Sequence, residues 1–320
     1  MTLIIAFQVS HLRNLIVSAL KSAGIATMIG LIAPCLWGAS VSLVRGIAEN
    51  FGMAQGQCLL YVVATLCLVF LVGMPKFRKM PWKYKIFGIG TANLCSICFC
   101  LSLYFSDGGT QTMEVGMVNY LWPMLTIVCA IVFNGQKARW WIAPGAVLSL
   151  IGIFWILSGG QFVLDDFLDR LSRNPLSYAL ALGAAITSAA YCSMTRAWSQ
   201  GQNCSTVIFM IDLVLFAGMW SMGVGGEPEI TMKGIFSVIF GGIAMGCAYA
   251  AWTHGMIYGN ITVLAIASYF TPVLSCLFAS FWIGAELNQA FWEGVTMVVA
   301  GSLVCWHATS TMALKKNETE

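Results

Sequence analysis

Ten runs of 18 to 24 residues, in which apolar side chains predominate, follow one another along the chain. A helix needs about 20 such residues to cross the hydrocarbon core of a bilayer. Only 9% of the residues are charged, whereas soluble domains carry roughly 25%. The alternating ten-residue segments that are typical of a membrane β-barrel do not occur in the sequence. The sequence therefore predicts an all-α integral membrane protein with ten transmembrane helices.

The predicted spans fall into two groups of five, at 23–158 and 176–312. We expect an amphipathic external linker at 159–175, a cytoplasmic or interfacial N-terminal lead at 1–22 and a cytoplasmic tail at 313–320. The individual spans are predicted at 23–44, 57–74, 85–106, 112–133, 140–158, 176–195, 205–223, 234–256, 261–283 and 289–312.

The basic residues are unevenly divided between the two sides of such a protein. The side that holds both termini receives twelve of the sixteen Lys and Arg residues, and the other side receives four. Cytoplasmic segments carry the excess of positive charge, so we expect cytoplasmic N- and C-termini. The net charge of +3, without a basic run interleaved with aromatic residues, does not indicate a nucleic-acid partner. The expected partners are membrane lipid and a small molecule, and the oligomeric state stays open.

Two internal alignments indicate a repeat. Val118–Thr126 aligns with Ala267–Ser275 at an offset of 149 residues, and this alignment continues without a gap. Trp37–Arg45 aligns with Ser188–Arg196 at an offset of 151, where chance similarity between membrane segments remains an alternative. Because each half has five spans, the second half would be inverted in the membrane relative to the first. Inverted repeats are typical of secondary transporters, whose substrate sites lie near the bilayer midplane.

Each half carries a proline near the middle of its fourth span. Pro123 lacks an N–H, so the carbonyl of Asn119 loses its helical partner, and Pro272 does the same to the carbonyl of Ser268. Non-helical backbone at this depth is tolerated where protein or water satisfies it. The pair of prolines therefore predicts two bent helices beside a midplane cavity, with ordinary kinked packing as the alternative.

Polar and aromatic side chains accompany the two prolines. Asn119, Trp122 and Thr126 are spaced i, i+3 and i+7, as on one helical face. Their partners in the second half are Ser268, Thr271 and Ser275. One half thus presents an indole and the other presents hydroxyls, which suits a ligand with an apolar ring and a zwitterionic head. The candidate cavity residues are Asn119, Tyr120, Trp122, Pro123, Thr126, Tyr191, Tyr249, Trp252, Ser268, Tyr269, Thr271, Pro272 and Ser275, with packing an equal alternative for Tyr120 and Tyr269.

Acidic residues within or near the spans are candidates for ion coupling, because intramembrane charges are costly. These are Glu114, Asp212 and Glu293, for which a solvated helix end or a local hydrogen bond is the alternative. Lys and Arg are missing from the middles of all ten spans. A phosphorylated substrate would need such cationic partners, so the sequence favours a net-neutral substrate.

Two further patterns, a DDxxD sequence and twelve cysteines, could indicate functions other than transport. Asp165, Asp166 and Asp169 form a DDxxD sequence that resembles the magnesium–diphosphate motif of prenyl-transfer enzymes, although no second such motif is present. The apolar residues around it recur at helical spacing, which favours an amphipathic interfacial helix over an enzyme. Twelve cysteines lie mostly inside apolar runs, where they are small buried hydrophobes, and no ligand set for a metal or cofactor is expected. A passive channel is a third alternative.

Four longer motifs resemble a known family. "EVGMVNYLWP", "FNGQK", "AYAAW" and "SYFTPVLS" are similar to those of the drug/metabolite transporter superfamily, whose EamA-type members have two five-helix halves, and within it to the aromatic amino-acid exporters. The resemblance covers residues 25–312. It implies export of aromatic and other neutral amino acids across the inner membrane of a Gram-negative bacterium, with methionine and threonine as further candidates and other small metabolites or drugs as the alternative.

The same resemblance adds two residues to the candidate cavity. In that family the first and sixth helices often bring an aromatic side chain to the cavity. Trp37 matches this pattern, whereas Ser188 stands at the corresponding place in the second half. The resemblance therefore implies a selectivity that differs from members with two aromatic residues here.

Overall fold

The computed structural model describes residues 18–161, 163–224, 229–283 and 287–317. Most of the predicted N-terminal lead, residues 1–17, lies outside the described residues, as do the last three residues of the tail. Within the described ranges the chain is helical and no residue belongs to a β-strand. The α-helices are α1 (Ala23–Gly30), α2 (Ile32–Phe51), α3 (Met53–Leu71), α4 (Ile89–Tyr104), α5 (Gly108–Asn119), α6 (Trp122–Asn134), α7 (Ile142–Leu157), α8 (Leu164–Arg173), α9 (Pro175–Trp198), α10 (Ser205–Ser221), α11 (Met232–Tyr258), α12 (Ile261–Ser268), α13 (Thr271–Ile283) and α14 (Gln289–Asn317).

The apolar helices are those of a multi-pass membrane protein. Among the described residues, five helices are long and apolar enough to cross a bilayer, and a sixth span results if the bent pair α12 and α13 is counted as one. The five are Met53–Leu71, Tyr84–Tyr104, Glu114–Asn134, Pro175–Trp198 and Met232–Tyr258, and shorter apolar helices lie at Ala23–Ala39, Ile142–Leu157 and Ser205–Ser221. The count of ten spans stays a prediction.

The helix breaks fall at the aligned proline motifs. α5 ends at Asn119 and α12 ends at Ser268, and after two residues α6 and α13 begin with Trp122–Pro123 and Thr271–Pro272. Proline is tolerated at the start of a helix because the N–H that it lacks has no helical partner there. The bounds of α6 and α13 also differ by the alignment offset of 149 residues. The predicted interruptions of the two spans are thereby confirmed.

Helices α7 and α14 pack closely through glycines. A Cβ added at Gly145 would lie 2.9 Å from the carbonyl oxygen of Gly301, and one added at Gly152 would lie 2.7 Å from that of Gly294. In the alignment, Gly294 is the partner of Gly145 and Gly301 is the partner of Gly152. Each glycine therefore contacts the repeat partner of the other, which is the reciprocal contact that a two-fold relation produces. Small residues allow such close approach of membrane helices.

Candidate functional site

A cavity of about 730 Å³ lies at the centre of the helical bundle. Its wall combines residues of α2 to α7, in the first predicted half, with residues of α9, α10, α11 and α13, in the second. It thus lies between the two predicted halves. Eleven of the fifteen predicted cavity residues line it: Trp37, Asn119, Tyr120, Trp122, Ser188, Tyr191, Tyr249, Trp252, Thr271, Pro272 and Ser275.

Four aromatic rings form one part of the wall. The ring centroid of Trp37 lies 5.1 Å from that of Trp252, 5.4 Å from that of Tyr249 and 6.3 Å from that of Trp122. Trp122 and Trp252 meet edge to face at 5.5 Å. Such ring pairs contribute about 0.5–1.5 kcal/mol each beyond the area they bury. The cluster therefore holds its own rings in place and presents a rigid apolar wall to the cavity.

A polar part of the wall is located at the helix breaks. Asn119 ends α5, and Thr271 begins α13. Thr271 is only 6% exposed, and its hydroxyl has no hydrogen-bond partner among the described residues. A buried hydroxyl without a partner is costly, and the N-terminus of a broken membrane helix favours a negative group. This end of α13 is therefore chemically suited to receive an anionic group in the cavity.

Four predicted residues lie outside the cavity wall. The hydroxyl of Thr126 donates to the carbonyl of Trp122 at 2.8 Å, and that of Ser268 donates to the carbonyl of Leu264 at 2.9 Å. Tyr269 is fully buried among apolar side chains of α7, α12, α13 and α14, and Pro123 is also buried. The i, i+3, i+7 spacing assumed an unbroken helix, and the break before Trp122 changes the direction that the later residues face.

The cavity wall also includes residues on α3, α4 and α10 that were not predicted from the sequence. Tyr61, Ser96, Phe209 and Phe216 line the cavity. The ring of Tyr61 stacks on Phe216 at 5.3 Å and meets Phe209 edge to face at 4.9 Å. Polar side chains in apolar runs were an available signal for Tyr61 and Ser96. Nothing in the sequence set the phenylalanines apart from other core residues.

Two of the three candidate coupling acids are bound away from the cavity wall. The carboxylate of Glu114 accepts hydrogen bonds from Arg170 Nε at 3.0 Å and from Tyr178 at 2.5 Å. The bond to Glu114 raises the pKa of Arg170, which lies on the linker helix α8. Glu293 accepts from Trp155 Nε1 at 2.8 Å, near the start of α14. Both carboxylates therefore have local structural partners.

Asp212 differs from these two acids because it lines the cavity. Its Oδ1 accepts a hydrogen bond from Asn93 Nδ2 at 2.7 Å, and its Oδ2 accepts one from the Ser96 hydroxyl at 2.9 Å. The residue lies in the middle of α10. Of the three acids singled out in the sequence, Asp212 alone reaches the cavity.

The cavity extends toward one end of the bundle. Its wall includes Met53 at the start of α3, Leu103 at the end of α4, and Leu157 at the end of α7. The same end carries α8, because Asn174 donates to the carbonyl of Phe105 at 2.7 Å. The wall therefore runs from the broken helices to the end of the bundle where α8 lies.

The opposite end of the bundle is closed by hydrogen bonds between helices. Tyr84 pairs with the hydroxyl of Thr195 at 3.0 Å. The hydroxyl of Thr253 on α11 pairs with Ser205 at 2.8 Å and with Tyr191 at 3.2 Å. These buried contacts join α9, α10 and α11 at the end of the bundle that lies away from α8.

Helix α8 is amphipathic. Phe167 packs edge to face on Tyr178 at 5.4 Å, while Leu164 and Leu168 are exposed on the surface. In the DDxxD sequence, Asp169 forms an ion pair of 2.8 Å with Arg173, one turn further along the helix. An exposed apolar stripe beside charged residues is typical of a helix that lies at a membrane surface.

Apolar spanning helices around a central cavity, with helix breaks at its wall, define a multi-pass membrane transporter. The chain belongs to the EamA-like transporter family, whose model matches residues 24–158. This agrees with the family resemblance found in the sequence.

Curated relatives cover almost the whole chain. The aromatic amino acid exporter YddG of Escherichia coli (strain K12) is 42% identical over 288 residues, which is 89% of this chain and 97% of that protein. The aromatic amino acid exporter YddG of Salmonella typhimurium is 40% identical over 286 residues, with the same coverage of 89% and 97%. Both relatives are named as exporters, which disfavours the prenyl-transfer alternative.

A solved crystal structure shares the fold. It superposes with a TM-score of 0.74 and covers 90% of this chain and 99% of its own, at 21% sequence identity. The architecture is therefore one that is known from experiment.

Proposed function

We propose that the protein is a secondary transporter that exports aromatic and other neutral amino acids by alternating access. Two inverted five-helix halves would rock against each other around the central cavity. The identity of 42% and 40% to two aromatic amino acid exporters supports the substrate class. The reciprocal glycine contacts between α7 and α14 support the two-fold relation of the halves.

One observation carries this proposal: a rigid aromatic wall and a polar helix break face the same cavity. The volume of about 730 Å³ is within the range of pockets that enclose small ligands. An aromatic ring would lie against Trp37, Trp122 and Trp252. The carboxylate would lie at the start of α13, where Thr271 offers its hydroxyl. The absence of Lys and Arg from the predicted span middles fits a net-neutral zwitterion.

The charge distribution assigns a direction to this conformation. The excess of Lys and Arg supports cytoplasmic termini, and we propose that the protein lies in the inner membrane of a bacterial cell. The end of the bundle that carries α8 then faces the outside, and the cavity extends toward it. The conformation is thus an outward-facing one, closed on the cytoplasmic side by the contacts of Tyr84 and Thr253.

Counterflow in proteoliposomes tests the proposal. Vesicles loaded with unlabelled phenylalanine should transiently accumulate labelled phenylalanine, because a carrier exchanges substrate across the membrane. A panel with tryptophan, methionine, threonine and a nucleotide sugar ranks the substrates. Transport of the nucleotide sugar without any amino acid would overturn the substrate class. Flux without saturation or counterflow would instead indicate a channel.

A further inference from the structure

Asp212 is a carboxylate buried inside the transmembrane bundle. It is only 1% exposed, yet it contributes to the cavity wall. Both of its oxygens are held, Oδ1 by Asn93 at 2.7 Å and Oδ2 by Ser96 at 2.9 Å. These bonds fix the carboxylate at one place in the wall, at a depth where a charge is costly.

The surroundings of Asp212 provide no positive charge among the described side chains. The titratable groups that face it are Tyr61 on α3, Cys95 on α4 and Tyr249 on α11. Tyrosine and cysteine side chains are ordinarily uncharged at neutral pH. The ion pairs of the described side chains are those of Arg170 and Arg173, on α8. Among the described side chains, a negative charge at Asp212 therefore has no counter-charge.

The hydrogen-bond partners of Asp212 are compatible with both its charged and its protonated form. The Ser96 hydroxyl donates to the charged carboxylate at 2.9 Å, and the carbonyl of Ala92 lies 3.4 Å away as a second acceptor. If Asp212 is protonated, its O–H can donate to Ser96 Oγ while Ser96 donates to Ala92. The Asn93 amide also donates to the carbonyl of Ile208 at 2.9 Å, so it stays in place in either state.

We propose that Asp212 is the proton-binding residue through which amino acid export is coupled to proton entry. This inference rests on the proposed function. While the loaded cavity is closed, the ammonium group of the substrate offsets the charge of Asp212. After the substrate leaves on the outside, a carboxylate oxygen takes up one proton. The empty carrier then returns with a neutral Asp212 and releases the proton to the cytoplasm, so one proton enters for each amino acid that leaves.

The physical reason is the cost of an uncompensated charge in a closed membrane cavity. A buried carboxylate without a counter-charge is disfavoured in such a cavity. The substrate removes this cost by pairing its ammonium group with Asp212, and a proton removes it by neutralising the carboxylate. One of the two is sufficient. The carrier therefore changes conformation with one or the other, which is the condition for exchange. Replacing Asp212 by a neutral residue should let the empty carrier return without a proton.

The test uses the full-length protein in proteoliposomes, with the membrane potential clamped at zero. An interior more acidic than the bath should drive accumulation of labelled phenylalanine, about tenfold per pH unit for one-for-one exchange. Asp212→Asn should lose this accumulation. Its counterflow should be slower, because the substrate ammonium loses its partner, and the remaining counterflow should no longer respond to the pH gradient. Asp212→Glu should restore part of the pH response. Glu293→Gln is the matched control, because its carboxylate also accepts two side-chain bonds but lies outside the cavity wall.

The outcomes separate this inference from the proposed function. Wild-type counterflow that ignores the pH gradient, or accumulation that persists in Asp212→Asn, would overturn the coupling while leaving the transporter intact. Absence of counterflow from the wild type would defeat the proposed function. In that case, infrared difference spectra recorded on acidification test proton binding at Asp212 independently of transport. A protonated-carboxyl band is expected in the wild type and should be missing in Asp212→Asn. If Asp212→Asn does not fold, Ser96→Ala should shift the pH at which this band appears, and an unshifted band would contradict the inference.

Discussion

Ser149 donates a hydrogen bond of 3.4 Å to the carbonyl of Val298, the residue with which it aligns in the internal repeat. A contact between two repeat partners is expected on the axis of the proposed two-fold relation between the halves. The glycine pairs Gly145–Gly301 and Gly152–Gly294 flank this contact on either side. The seam between α7 and α14 therefore combines close backbone packing with contacts between aligned residues.

The first prediction concerns this seam. In Gly152→Ala, the new methyl group would lie 2.7 Å from the carbonyl oxygen of Gly294 and 2.8 Å from Met297 Cβ. Overpacking of this kind costs about 1–3 kcal/mol, so the melting temperature in detergent should fall by several degrees. Gly90→Ala is the control, because nothing lies within 4 Å of its added Cβ. Equal melting temperatures for the two variants would contradict a tight seam.

The second prediction concerns the two sides of the cavity. Trp122→Ala should weaken aromatic substrates by removing ring contacts of about 0.5–1.5 kcal/mol, up to roughly tenfold in affinity, and should weaken threonine less. Thr271→Val keeps the volume but removes the hydroxyl, so it should weaken all amino acids to a similar degree. Transport assays across a substrate panel compare the two patterns, with the exposed Trp292→Ala as control. Equal loss for all substrates in a well-folded Trp122→Ala protein would indicate ordinary packing instead.

Local sequence patterns were sufficient for the helix breaks and for much of the cavity. Pro123 and Pro272 predicted the interruptions because a missing N–H acts within one helical turn. Trp122 and Thr271 then line the cavity beside those breaks. The same reasoning placed Thr126 on the wall, whereas its hydroxyl bonds to its own helix. The periodicity argument does not hold across a break, since the axis of the helix changes there.

Other parts of the site depend on contacts between distant segments. Ser96 and Asp212 are 116 residues apart, and the cavity contact of Asp212 depends on how α10 packs against α3 and α4. Likewise, the sequence predicted Glu114 as a coupling candidate because its partner Arg170, 56 residues away, was not evident from the local pattern. A single sequence identifies costly residues in apolar runs. It does not tell which of them find a partner.

The third prediction concerns orientation. A reporter active only in the cytoplasm should be active when fused after Glu320, and a reporter active only in the periplasm should be active when inserted beside α8. The reason is that twelve of sixteen Lys and Arg residues fall on the side of the termini. The opposite pattern of activities would invert the assigned direction of the cavity, and equal activity in both places would contradict a unique topology.

The last prediction compares two ion pairs on the same helix. Arg170 binds the buried carboxylate of Glu114, whereas Arg173 binds Asp169 at the surface. Arg170→Met leaves Glu114 buried without its cationic partner, so it should lower the free energy of unfolding by about 1–3 kcal/mol, since Arg170 is itself partly exposed. Arg173→Met should cost about 0–1 kcal/mol, as surface pairs do.

A double-mutant cycle isolates the buried pair. Combining Arg170→Met with Glu114→Gln should cost less than the sum of the single changes, because the second change removes the unpaired charge. Thermal or denaturant unfolding in detergent measures each variant. Strict additivity would mean that Arg170 does not stabilise Glu114. The expected coupling would instead show that α8 is held to α5 through this pair, and that Glu114 is a structural acid.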